Sequence, residues 1–448
     1  MHAAFYCLTT LTLISATLAA QTSLPQLPPR RDQDSIATLR ARAKLVVIDV
    51  VVTGKDRASR KGLKQSDFTL TESGAPQILN SFQEHTGLTP TEALKYPPLP
   101  PLPPGTFTNY TPIPTNSAVN ILLLDALNTP LQDQTFVRSQ LFDYIKKAQP
   151  GTSIAIFGLT THLRMMQSFT SSPETLREAI KIASGKSSPL LDNPVGGGTT
   201  ESLPEQMAEF GPNPAQAAGA LQELESMQSS FELQLRAKYT LEALNVLARF
   251  LANIPGRKNL IWFSGSFPIN ILPDGNASNP FQTFASAENE YRDTANLLAH
   301  SQVAVYPVDA RGLMTQPMFE ASNSGVRYIR DSNAMSSDLE NFFASQATEH
   351  CTMLRMAEDT GGEAFINTNG LAQAVSRAIE SGSNYYTLTY SPTNTKWKGD
   401  FRKVQVKLSQ PGYKLFYRRG YFADDTNSPS TALNLAPVAP PPCRCSDG

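Results

Sequence analysis

The chain has 448 residues, enough for two or three domains, with 38 basic and 39 acidic side chains and a formal net charge of -1. That balance supplies no electrostatic footprint for nucleic acid or for an anionic membrane surface. The 34 prolines gather in linkers, and if a signal peptide is cut the mature chain keeps Cys351, Cys443 and Cys445.

In chain order, Ala3 to Ala20 is a mostly apolar run that ends in Thr17-Leu18-Ala19-Ala20-Gln21. Small residues after a stretch of that length predict a cleaved signal peptide over 1–20, hence a secreted or periplasmic protein with no transmembrane span after cleavage. Residues 21–43 read as a flexible leader. Lys44 to Thr53 is rich in β-branched residues, Asp67 to Glu72 alternates, and Ile78 to Phe82 makes a third strand. Residues 91–118 hold Pro97-Pro98-Leu99-Pro100-Pro101 and form a proline-rich spacer.

From Val119 strands alternate with helices. Val119 to Leu124 is nearly all apolar, as for a parallel strand covered on both faces. Phe136, Val137, Leu141, Tyr144 and Ile145 recur at helical spacing. Strands follow at Ser153–Leu159 and Leu163–Phe169. Ser172-Pro173-Glu174 then opens a helix with an N-cap, a proline at the first helical position and an early acid. Residues 185–230 are rich in Gly, Pro, Ser and Gln and read as a mobile insertion that adds no core. A long helix runs from Phe231 to Ile254, then a strand over Asn259–Phe263, a helix over Ala285–His300 and a strand over Val303–Val308 ending at Asp309. Residues 312–335 read as loop. A helix from Leu339 to Thr360 leads to a short strand at Gly361–Ile366 and a helix near Leu371–Glu380.

Tyr385–Tyr390, Lys403–Leu408 and Lys414–Arg418 return to β patterning. Neither terminal strand set is large enough alone, so residues 44–90 and 383–424 are expected to form one β-sandwich. The fold class is therefore α/β, with a doubly wound, mostly parallel sheet over 119–382 plus that sandwich. Residues 425–448 read as a disordered tail.

Ile121-Leu122-Leu123-Leu124-Asp125-Ala126-Leu127-Asn128-Thr129 carries the chemistry. Ligands of open α/β sheets bind at the carboxyl ends of the strands. A carboxylate with Asn128 and Thr129 oxygens there suits a hard divalent cation. The alternative is that Asp125 and Asp309 accept backbone N–H bonds at helix starts.

The residues Leu122 to Thr129, Gly256-Arg257-Lys258-Asn259-Leu260-Ile261-Trp262-Phe263-Ser264-Gly265, Val305 to Gly312, Asn384 to Tyr390 and Arg418-Arg419-Gly420-Tyr421 resemble the secreted acidobacterial type of von Willebrand factor A (VWFA)-related protein. The resemblance implies a metal-ion-dependent adhesion site: Asp-x-Ser-x-Ser after the first strand, a loop threonine, and an aspartate after the fourth strand. Asp125 and Thr129 match the first motif, Leu127 replaces its first serine, and Ser264 stands where the last aspartate belongs. The threonine is Thr199, Thr200 or Thr240. Candidate metal residues are thus Asp125, Asn128, Thr129, Thr199, Ser264 and Asp309, for Mg²⁺ or Mn²⁺ bound weakly or not at all, because an oxygen ligand and a charge are missing.

Other chemistry is thin. None of His2, His85, His162, His300 and His350 lies at a recognised catalytic spacing, and His300 and His350 read as solvated helix ends. Ser264-Gly265-Ser266 lacks the frame of a nucleophile elbow. Gly196-Gly197-Gly198-Thr199-Thr200 lacks the lysine of a phosphate loop. Arg257-Lys258 reads as a charged turn and Cys351 as a buried, inert thiol. Cys443-Arg444-Cys445 reads as a metal-binding or disulfide-forming pair, although two thiols alone cannot complete a structural zinc site. The expectation is a non-enzymatic protein that binds a protein or other extracellular macromolecule at the strand ends. The alternatives are an envelope metal-dependent hydrolase and a metal-free assembly subunit.

Overall fold

The computed structural model describes residues 44–93, 95–96, 106, 108, 117–148, 151–183, 185, 188–191, 214–267, 280–319, 325–330 and 333–424. The expected signal peptide, leader, most of the proline-rich spacer, Thr199, Thr200 and the tail lie outside them.

The centre is a five-stranded sheet in the order β7 (Leu163–Thr170), β6 (Ile154–Leu159), β5 (Val119–Asp125), β8 (Lys258–Ser264), β9 (Val303–Asp309). Four of these strands are parallel, and β7 runs antiparallel to β6. Burial follows position: every residue of β8 and β9 is buried, as expected where helices cover both faces. On one face Ile121, Leu123, Leu260 and Trp262 pack with Leu244, Leu247 and Leu251 of helix α3 (Pro214–Ala252) and Met353 and Met356 of α5 (Ala334–Thr360). On the other, Leu122 and Ile261 meet Leu141 of α1 (Leu131–Lys147), Ile180 of α2 (Pro173–Ile182) and Val375 of α6 (Leu371–Ser383). Helix α4 (Pro280–His300) adds Tyr291 and Leu298 to the first face.

Two four-stranded antiparallel sheets use both chain ends. One has the order β12 (Lys414–Phe416), β1 (Val46–Thr53), β10 (Tyr385–Tyr390), β4 (Leu79–His85). The other runs β13 (Gly420–Phe422), β11 (Phe401–Leu408), β2 (Phe68–Glu72), β3 (Ala75–Gln77). Each therefore interleaves amino- and carboxyl-terminal strands. They share one hydrophobic cluster built from Ile48, Val50, Leu70, Leu388, Val404 and Val406. β11 alternates exposed and buried residues along Phe401–Val406, as a strand with one wet face should. Inside the cluster Glu72 is bridged by Arg402 at 3.2 Å and by the hydroxyls of Tyr390 and Tyr421 at 2.7 and 2.8 Å.

Several expectations need correction. The segment read as a coreless insertion to residue 230 is helical from Pro214. Proline at a helix start followed by Ala215-Gln216-Ala217-Ala218 and Leu221-Gln222-Glu223-Leu224-Glu225 is strong helix chemistry that the surrounding Gly and Ser obscured. The stretch read as loop over 312–335 contains a 3₁₀ turn (Pro317–Phe319), a short helix (Val326–Arg330) and the start of α5. The strand expected at Gly361–Ile366 reduces to a single bridge, Val308 to Phe365. Phe365 N–H donates to the Pro307 carbonyl at 2.8 Å and the Phe365 carbonyl accepts from Asp309 N–H at 3.0 Å, but Pro307 has no N–H to extend the ladder. α5 ends on Gly361 at φ 81°, where a Cβ would lie 2.8 Å from the Arg418 nitrogen.

Candidate functional site

The connections leaving β5 and β8 diverge, β5 toward β6 and β8 toward β9, so the crevice between their carboxyl ends is the switch point of the sheet. Asp125 ends β5 and Ser264 ends β8. The loops approach closely: a Cβ on Gly265 would lie 3.0 Å from Pro130 Cδ and 3.2 Å from the Asn128 carbonyl, tight enough that a neighbour would have to shift by a few tenths of an ångström.

Asp125 is buried and accepts four hydrogen bonds from three residues. Its Oδ1 accepts the Asn128 backbone N–H at 3.0 Å. Its Oδ2 accepts from Asn128 Nδ2 at 2.8 Å and from Trp262 Nε1 at 3.1 Å, with the Ser264 hydroxyl at 2.9 Å. Ser264 Oγ also lies 2.6 Å from the Ser266 carbonyl, so its one proton serves either acceptor. Asn128 Nδ2 reaches Thr240 Oγ1 at 2.9 Å, while its Oδ1 accepts from Arg236 Nε at 3.0 Å. Thr129 Oγ1 accepts the Gly265 N–H at 2.9 Å. Burial pushes the Asp125 carboxyl above the ordinary range, against the pull of its Asn128, Ser264 and Trp262 bonds.

Asp309 belongs to a separate network. Arg311 grips it with Nε on Oδ1 at 3.0 Å and Nη2 on Oδ2 at 2.9 Å, and its backbone N–H also reaches Oδ1 at 3.0 Å. His350 Nε2 lies 3.2 Å from Oδ2, and Arg311 Nη1 donates to Glu349 at 2.6 Å. Burial alone would raise this carboxyl; His350 and Arg311 outweigh it and hold Asp309 below the ordinary carboxylate range.

Of the sequence candidates, Asp125, Asn128, Thr129 and Ser264 therefore converge, Thr240 joins them through Asn128, and Asp309 bonds elsewhere. This set does not fit a divalent cation. Three N–H donors surround the Asp125 carboxylate, which a metal would need as a bare acceptor, and Arg236 claims the Asn128 oxygen. Leu127, in the place of the missing serine, is 1 % exposed within the apolar cluster. Among the described residues no group of three His, Cys, Asp or Glu side chains is placed to hold a metal.

Sequence reasoning missed Trp262, Arg236, Glu349 and Arg311. Two signals were available. A tryptophan inside a buried strand needs an acceptor for its indole N–H. Arg236 and Thr240 precede Leu244 at intervals of four, which puts a cation and a hydroxyl on the stripe that α3 turns to the core.

Three further readings are corrected. Arg257 and Lys258 read as a charged turn, yet each is 2 % exposed and Lys258 opens β8. Arg257 donates to Tyr306 Oη at 3.2 Å and the Gly361 carbonyl at 2.7 Å, and Lys258 Nζ to the Ser301 carbonyl at 2.8 Å. Hydrogen bonds to neutral oxygens offset part of the cost of such burial. His350 is buried against Asp309 rather than solvated. Cys351 is half-buried and disulfide-bonded, not an inert thiol.

No family model matches the sequence and no curated protein matches it. Solved structures to which the chain is similar match it at TM-scores below 0.3. BatB from Bacteroides thetaiotaomicron is 11 % identical over 58 % of this chain and 97 % of its own, at a TM-score of 0.27. A von Willebrand factor type A protein from Catenulispora acidiphila is 9 % identical over 69 % and 67 %, at 0.24. The mussel byssus proximal thread matrix protein 1 with a zinc-occupied MIDAS motif is 8 % identical over 61 % and 47 %, at 0.29. Among the described residues of the present chain no helix is long and apolar enough to cross a membrane.

Proposed function

We propose that the chain is a secreted or envelope-located, non-enzymatic VWFA-related protein of the acidobacterial type. In this reading a doubly wound α/β domain joins a β-sandwich built from both chain ends. It captures a protein or other macromolecule at the carboxyl rim of the sheet without a metal ion. The observation that carries the reading is the apolar surface beyond β9. Leu313, Phe319, Ile329 and Phe343 are 61, 70, 86 and 50 % exposed; they lie on the chain that follows β9, where the 3₁₀ turn and the short helix each pack against α5, which itself packs against β9. Exposed apolar side chains grouped at a ligand-binding edge mark interaction surfaces. The polar crevice beside them is closed by its own hydrogen bonds, so recognition there rests on apolar contact.

An enzymatic reading has less support. The Ser264 hydroxyl is bonded to Asp125 and Ser266, and among the described residues no histidine hydrogen-bonds to it. The test is capture from an envelope extract by immobilised chain, with and without EDTA, beside the variant Phe319→Ser/Ile329→Ser/Phe343→Ser. Expected is a captured species that EDTA does not release and the triple variant does not retain. Release by EDTA, or equal capture by the variant, contradicts the reading.

A further inference from the structure

Beside the closed crevice lies an open cleft of about 330 Å³, between α1, α2 and the carboxyl ends of β5 and β6. That volume is at the lower end of the range in which small-molecule sites fall, about 300–1,000 Å³. Its floor is apolar: Leu124, Val137, Met165, Met166, Ala179 and Phe263. Arg138, Arg164 and His162 also line it. Among the described residues Arg138 bonds only neutral oxygens, the Ala183 carbonyl at 2.6 Å and Thr135 Oγ1 at 3.1 Å. Arg164 is exposed and has no acidic partner among the described residues. Among the described residues the one acid on the lining is Asp125, whose oxygens are committed to Asn128, Trp262 and Ser264. An apolar floor beside two guanidinium groups that no acid neutralises is complementary to an anion with an apolar body. The two methionines add a surface that repacks around flexible chains, and guanidinium binds carboxylate in a planar, two-pronged geometry.

We propose that this cleft is a binding site for a small aliphatic carboxylate, its chain on Met165, Met166 and Leu124 and its carboxylate at Arg164 and Arg138. The site is separate from the apolar surface beyond β9 and stands or falls independently of macromolecular capture. Calorimetric titration of the whole chain with decanoate tests it, with decanol as the uncharged counterpart. Expected is saturable binding of one decanoate per chain, at least tenfold tighter than decanol and weakened at least tenfold by Arg164→Glu. Met166→Trp, which fills the cleft, is expected to abolish it. Arg164 is exposed, so Arg164→Glu keeps the fold and decides the matter if Met166→Trp does not fold. Absence of saturable binding by decanoate, equal affinity for decanol, or unchanged affinity in Arg164→Glu overturns the proposal.

Discussion

At Asp125 a single carboxylate organises the switch point, because Asn128, Trp262 and Ser264 all point donors at it. Removing the acceptor leaves buried N–H groups unpaired, at about 1–3 kcal/mol each. Asp125→Ala is therefore expected to lose about 3 kcal/mol in urea unfolding. Asp125→Asn, which sets an amide against two N–H donors, should recover little of it, and a loss below about 0.5 kcal/mol for Asp125→Ala would contradict the role. Lys258 makes a pH prediction. Burial lowers its pKa from 10.5 to about 8. Between those values the unfolded chain binds more protons than the folded one, so its contribution to stability rises with pH from about 8 to 10.5 and is least favourable below 8. Thermal unfolding of the protein and of Lys258→Met across that range should show the difference moving in favour of lysine as pH rises; a flat difference would count against it. Asp125, Asn128, Thr129 and Ser264 were legible as a group because a strand followed by an acid marks a ligand edge. That their oxygens are spent internally was not, because Arg236 and Trp262 arrive from 108 and 137 residues away.

At the scale of elements, period and propensity identified most strands and helices, and failed where neighbours override local pattern. The strand at Gly361–Ile366 has the right residues but meets Pro307 on the edge it would pair with. The first half of α3 was hidden by composition. Charged residues were the hardest to place. Lys258 opens a strand buried along its whole length, and Glu72 and Arg402 pair inside the two antiparallel sheets. Breaking a buried pair strands the remaining charge, at about 3–5 kcal/mol. Arg402→Met should cost that much. The double variant Glu72→Gln/Arg402→Met should cost clearly less than the sum of the single changes, read from a double-mutant cycle. Additive losses would show that the two side chains do not act as a pair.

For the whole molecule, the interleaving of chain ends and the burial of Arg257 make one prediction. Arg257 N–H donates to the hydroxyl of Tyr385 on β10 at 3.3 Å, while its guanidinium reaches Tyr306 on β9. It thereby couples the α/β sheet to the antiparallel pair. The two tryptophans report separately, Trp262 from the core of the central sheet and Trp397 beside Tyr421 of the antiparallel pair. In Trp397→Phe and Trp262→Phe proteins the fluorescence transitions should coincide. Tyr385→Phe, which removes the hydroxyl that accepts the Arg257 N–H, should pull them apart; coincidence in that background would mean that the sheets are joined by other contacts.

The closed crevice is tested most directly by titrating Mg²⁺ and Mn²⁺ into the purified chain by calorimetry, with Asp125→Ala alongside. A crevice whose acceptors are occupied by Asn128, Trp262, Ser264 and Arg236 is expected to give no saturable heat in either protein. Saturable binding by the unaltered chain that Asp125→Ala removes would contradict it, and would restore metal-dependent capture.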